Sequence, residues 1–124
     1  MKMYEILAVQ DFYPSIQDQK LPIKTAYKLT RLGRRIEEEL EFYQREFQRI
    51  INDYAQKENG QLVYSDDRTS IKIIPGKEEE CTQKIAELRN LEISLNEFNF
   101  DIDEFSNINL TISQMNSILP FINN

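Results

Sequence analysis

The sequence predicts an α+β fold: one long helix in the N-terminal half, a β-hairpin, a second helix antiparallel to the first, a small antiparallel sheet and a short C-terminal helix. Three observations carry that prediction. From Pro22 to Gly60 apolar residues recur on a seven-residue repeat sustained over four repeats. The stretch QLVYSDDRTSIKII, Gln61 to Ile74, sets two β-type runs around a polar tip. Leu91 to Ile102 alternates apolar with polar residues, the period of a half-buried strand.

Taken in order, Met1 to Val9 is rich in Met, Tyr, Ile, Leu and Val, and is expected to form a short, partly central strand. Asp11 to Lys20 holds Pro14 among polar residues and is expected to be a loop with at most a single helical turn. Pro22 opens the long helix without cost, because a first-turn amide has no helical partner. Its heptad rows are Ala26, Gly33, Leu40, Phe47 and Tyr54, and beside them Leu29, Ile36, Tyr43 and Ile50. Gly60, following Lys57, Glu58 and Asn59, is the expected left-handed stop, giving a helix of about 36 residues and roughly 54 Å.

A helix of that length outruns a domain of this size. Its apolar seam therefore calls for cover, either from a second copy of the chain along Leu29, Ile36, Leu40, Tyr43, Phe47, Ile50 and Tyr54, or from the chain itself. In the second case the Lys77 to Asn90 helix would cover its C-terminal half and the sheet its N-terminal half.

Gln61 to Ser65 and Ser70 to Ile74 are the expected hairpin strands, with Asp66, Asp67, Arg68 and Thr69 at the tip and Pro75-Gly76 ending the unit. Lys77 to Asn90 places Cys81, Ile85 and Leu88 on one helical stripe. In the alternating segment Leu91, Ile93 and Leu95 point one way, and Phe98, Phe100 and Ile102 the same way after a phase shift at Asn96-Glu97. A bulged strand or a hairpin would produce that shift. Thr111 or Ser113 can cap a last short helix that Pro120 stops.

Composition limits what this fold can do. The 124 residues suit a single domain, 1–124, with one modest core. Fifteen Lys and Arg against 21 Asp and Glu give a formal charge of −6, which disfavours general binding to nucleic acid or an anionic membrane. No apolar run approaches the ~20 residues of a membrane span, and Glu5 interrupts what would be a signal core. One cysteine, Cys81, fits a reducing compartment, so a cytoplasmic location is expected.

Catalytic chemistry lacks its usual carriers. There is no histidine, and the three glycines build no phosphate-cradling loop. One cysteine without histidine assembles neither a zinc site nor a Cys-His pair, so no cofactor or metal is expected. The remaining acidic candidate is FDIDEF, where Asp101, Asp103 and Glu104 could face a hard cation; the same spacing also describes a solvated strand face. Cys81, on an apolar stripe, is expected to be a small buried hydrophobe.

The charge pattern of the long helix is more specific. Lys20, Lys24, Lys28, Arg31, Arg34 and Arg35 occur with no acid between Asp18 and Glu37, and Lys24, Lys28, Arg31 and Arg35 fall on one face opposite the seam. Cations in the first turns oppose the helix dipole, by roughly 0.3 to 1 kcal/mol each when exposed, so compensation is expected. Three accounts stand: an anion or acidic partner bound by Lys24, Lys28, Arg31, Arg34 and Arg35; local pairs Arg34–Glu38 and Arg35–Glu39; or an antiparallel neighbour whose Glu37, Glu38, Glu39, Glu41 and Glu46 lie beside the basic half. Aromatic interleaving is limited to Tyr27.

The stretch LPIKTAYKLTRLGRRIEEELEFYQREFQRIINDYAQKENGQ, Leu21 to Gln61, resembles small uncharacterised proteins of tailed phages and prophages of low-GC bacteria, and the tail motif LPFI is similar to theirs. The shared features are the Leu-Pro opening, the basic-then-acidic long helix, the tyrosine near its end and the glycine after an acidic turn. That resemblance implies a phage or prophage origin, where small acidic proteins serve assembly or counter host defences. The expected function is a non-catalytic, homo-oligomeric binding protein that occupies a host or phage protein partner. The alternatives are an oligomer that binds a nucleotide or other small anion through the basic stripe, a virion or tail-assembly chaperone, and, last, a carboxylate-metal enzyme at Asp101 and Asp103.

Overall fold

A computed structural model describes residues 1–123 and has the α+β class: helices throughout, with one small antiparallel sheet. Its elements are α1 (Met3–Val9), α2 (Tyr13–Ile16), α3 (Ile23–Tyr54), β1 (Lys57–Glu58), β2 (Gln61–Leu62), α4 (Glu78–Arg89) and α5 (Ile112–Ile118), with 3-10 turns at Gln10–Phe12, Ile102–Phe105 and Leu119–Phe121. Two compact units share the chain, one of Met1–Glu41 with the segment from Glu92 onward, the other of Phe42–Leu91. Helix α3, 32 residues and about 48 Å at 1.5 Å per residue, contributes to both.

The first unit buries apolar side chains from both ends of the sequence around the start of α3. Ile6, Val9, Phe12 and Ile16 meet Leu29, Leu32 and Ile36, and the far end of the chain adds Leu95, Phe98, Phe100, Phe105, Ile108, Ile118 and Phe121. Phe12 and Phe100 are fully buried, and the Phe105 ring lies 6.1 Å from Phe12 and 5.5 Å from Phe100. Backbone bonds close the unit: Ile93 N–H donates to Met1 C=O at 2.7 Å, and Phe100 exchanges bonds with Phe121 and Asn123, each at 2.8 Å.

Met1 to Val9 is a helix, not the expected strand. Met3, Ile6 and Val9 are buried at three-residue spacing, and the Lys2 amide donates to Glu5 Oε1 at 2.9 Å, capping the first turn. The apolar composition fits either period, and the third-residue carboxylate was the signal favouring a helix. The expected loop at Asp11 to Lys20 contains α2. Tyr13 packs its ring on α3 where Gly33 carries no side chain: a Cβ there would stand 3.2 Å from Cε1, while the Tyr13 hydroxyl donates to Leu29 C=O at 2.9 Å.

Leu91 to Ile102 forms no strand beyond isolated bridges at Glu92 and Phe100. Its burial keeps part of the expected phase: Leu95, Phe98 and Phe100 are buried, and Phe98 N–H donates to Leu95 C=O across the turn at Asn96-Glu97. Burial periodicity here reflects side chains inserted into the core from irregular backbone, without a ladder. In α5, Thr111 is the N-cap, accepting from the Gln114 amide at 3.1 Å, while the Thr111 amide donates to Gln114 Oε1 at 2.9 Å.

In the second unit α3 stops at Tyr54, before Gly60. Asn59 and Gly60, at φ 53° and 79°, form the tight turn between β1 and β2, with Lys57 opposite Leu62 and Glu58 opposite Gln61. The expected pairing of Gln61–Ser65 with Ser70–Ile74 is also present: Ser65 N–H bonds Ser70 C=O and Lys72 N–H bonds Val63 C=O, both at 2.8 Å. Gln56 joins both runs, donating to Lys72 C=O at 2.8 Å and accepting from Val63 N–H at 3.0 Å, so residues 56, 63 and 72 close a ring of three backbone bonds. At the loop tip the Ser65 hydroxyl and the Thr69 amide and hydroxyl all donate to Asp67, holding its carboxyl down to about 2. In α4, Cys81 and Leu88 are buried, and burial pushes the Cys81 thiol up.

Gly33 is the position where helix propensity and packing conflict. Ala is worth about 1 kcal/mol over Gly in a helix interior, but the Tyr13 ring occupies the space. Gly33→Ala is expected to destabilise the native chain by about 1 kcal/mol and to stabilise a Tyr13→Ala background by a similar amount, as measured by urea unfolding.

Candidate interaction surface on the long helix

The basic stripe occupies the first four turns of α3, and tertiary contacts divide its five cations into three groups. Lys28 and Arg35 are compensated within the chain. Lys28 Nζ lies 3.1 and 3.2 Å from the two Glu104 oxygens and 4.4 Å from the centre of the Phe100 ring. Arg35 pairs with Glu39 at 3.0 Å, the i, i+4 partner expected from the sequence. The other expected local pair, Arg34–Glu38, does not form within 4 Å, and Arg34 lies instead beside a groove lined by Tyr13, Gly33 and Glu37.

Lys24 and Arg31 make no ion pair among the described residues, and both are exposed. The Arg31 guanidinium lies 5.8 Å from the Tyr27 ring centre and 5.9 Å from that of Phe98, so it is fixed by aromatic faces and not by a carboxylate. Beside it Tyr27 is 63% exposed and Ile23 85% exposed. Their outward direction follows from helix geometry: Thr25, Leu29, Leu32 and Ile36 turn to the core, which leaves positions 23, 24, 27 and 31 on other sides of the cylinder.

The seam residues lie against the chain itself to different degrees. Leu29 and Ile36 are buried in the first unit's core, and Leu40 packs at its margin. Tyr43, Phe47, Ile50 and Tyr54 are half-buried, with the Tyr43 and Phe47 rings stacked at 5.9 Å.

Asp101, Asp103 and Glu104 do not share a strand face. They open the 3-10 turn Ile102–Phe105, where Glu104 accepts from the Asp101 amide at 2.7 Å and from the Thr25 hydroxyl at 2.9 Å. Asp101 Oδ1 accepts from Asn123 Nδ2 at 3.3 Å. Among the described residues no three acidic, cysteine or histidine side chains converge as a cation cage. Glu104 is thus a structural hub that the sequence reading placed in a different role. The Asp-x-x-Glu spacing of a capping box was the signal available for it.

No helix among the described residues is long and apolar enough to cross a membrane. Comparison with family models, curated proteins and solved structures returns no match.

Burial pushes the Glu104 carboxyl up, but the Asp101 amide, Lys28 and the Thr25 hydroxyl outweigh it and hold it below the ordinary 4.5. A carboxylate with a depressed folded pKa contributes stability above its unfolded value and loses it as pH falls through the folded one. Glu104→Gln is therefore expected to cost about 2 kcal/mol at pH 7 and to flatten the fall in stability below about pH 4.5, both read from unfolding curves across pH.

Proposed function

We propose that this chain is a non-catalytic binding protein that self-associates and acts by occupying a partner protein in the cytoplasm of a host cell. The carrying observation is the outer face at the start of α3, where Lys24 and Arg31 make no ion pair among the described residues and stand beside exposed Ile23 and Tyr27. Exposed tyrosine and arginine are the residue types that dominate binding energy at protein interfaces, and an 85% exposed isoleucine adds apolar area with no partner in its own chain. The matching surface is acidic with an apolar centre. The resemblance of Leu21 to Gln61 to phage and prophage proteins supports a host or defence factor as the partner, and equally admits a virion or tail component that the chain chaperones.

Binding of a nucleotide or small anion is the weaker reading. Lys24 and Arg31 are seven residues apart, about 10 Å along the helix, and Lys28 between them is already paired with Glu104. A single phosphate cannot span Lys24 and Arg31, whereas an acidic protein surface can engage both together. Arg34 also makes no ion pair among the described residues, but it has the Glu37 carboxylate beside the same groove.

The test is quantitative co-purification from the bacterial host, followed by titration with the protein recovered. Lys24→Glu combined with Arg31→Glu and Tyr27→Ala is expected to weaken that complex at least about 30-fold while circular dichroism stays unchanged, and binding of the unaltered chain should fall with added salt. A complex that survives all three substitutions at full affinity would refute the surface.

A further inference from the structure

A groove of about 490 Å³ runs between α3 and the segment that precedes it. Ile16, Leu21 and Leu29 give it an apolar lining, and Arg34 and Glu37 stand at its rim. Both rim charges are exposed, three residues apart on one helix, and neither makes an ion pair among the described residues. Glu37 also adds to the upward push that burial gives the Tyr13 hydroxyl.

We infer that this groove is the contact between two copies of the chain, related by a two-fold axis, with Arg34 of each copy facing Glu37 of the other. The inference rests on the self-association proposed above and assigns it to a surface other than the heptad seam. The argument is charge complementarity. An anionic ligand satisfies Arg34 and is repelled by Glu37, and a cationic one meets the reverse conflict. The occupant that fits carries both signs in opposite order along an apolar strip. A second copy does so automatically, because a two-fold contact places the same patch on both sides. The Gln17 and Gln19 amides at the same rim, each a donor and an acceptor, are self-complementary in the same way. On the seam, by contrast, Ile36 is closed into the first unit's core and Leu40 packs at its margin.

The geometry makes an unusual demand on a variant pair. Arg34→Glu alone sets two like-charged glutamate pairs across the axis, and Glu37→Arg alone sets two arginine pairs. Mixed together, the two variants regain both opposite-charge pairs, as does a chain carrying both substitutions. The experiment is light scattering and sedimentation of the full chain over a dilution series from about 1 mM to about 1 µM, the range in which small interfaces dissociate.

The expected result is an unaltered chain that reaches twice its 14.8 kDa mass, single variants whose dimer dissociates at least about tenfold more readily, and dimer restored in the one-to-one mixture and in the double variant. A chain that stays monomeric throughout overturns this contact and the proposed self-association together. A dimer indifferent to the single substitutions, or one that mixing does not restore, overturns the contact and leaves self-association to another surface.

Discussion

The first unit depends on one constraint: Thr25, Leu29, Leu32 and Ile36 form a stripe on α3 that must be buried, and the residues that bury it come from both extremities of the sequence. Phe12 approaches from before the helix, Phe100 and Phe105 from well beyond its end at Tyr54, and the three rings meet edge-on or tilted. A core assembled from distant segments pays its loop-closure entropy early, so the bonds joining the termini matter beyond their individual strength. Ile93 to Met1 and Phe100 to Phe121 close the chain over the helix at the points where the aromatic side chains enter.

The same closure sorts the charges. Once the 3-10 turn at Ile102–Phe105 sits against α3, Glu104 meets Thr25 and Lys28 while Phe100 lies under the Lys28 ammonium. One cation of the stripe is thereby neutralised, and Arg35 is neutralised by Glu39 one turn along. What remains outward on that face, Lys24 and Arg31 with Tyr27 and Ile23, is defined by subtraction: these cations, like Arg34 beside the groove, make no ion pair among the described residues. The dipole penalty expected for cations near a helix start is offset for Lys28 by a carboxylate from another part of the chain.

Much of the local architecture was legible in the residues. The long helix follows from its apolar repeat, and α4 from Cys81, Ile85 and Leu88, of which Cys81 and Leu88 are buried. Thr111 caps α5 because its hydroxyl and Gln114 sit at capping-box spacing. The errors have physical causes. Met1 to Val9 is too short for its apolar content to distinguish a period of two from one of 3.6. Asn59-Gly60 fits a helix end, but Asn-Gly is also the strongest short hairpin signal, and the engagement of Gln56 by Val63 and Lys72 decides for the hairpin. In Leu91 to Ile102 alternation of burial was real at Leu95, Phe98 and Phe100, but alternation does not require a strand when isolated side chains plug a core.

The sequence by itself determined that α3, α4 and α5 form, that Gly60 takes a positive φ, and that five cations crowd the start of the long helix, because those outcomes rest on interactions within a few residues. Only the tertiary structure decided which of the cations stay free, since Lys28 and Glu104 lie 76 positions apart and meet through chain closure alone. The groove beside Gly33 belongs to the same category: a missing side chain in α3 becomes a seat for Tyr13 only when α2 is folded onto it.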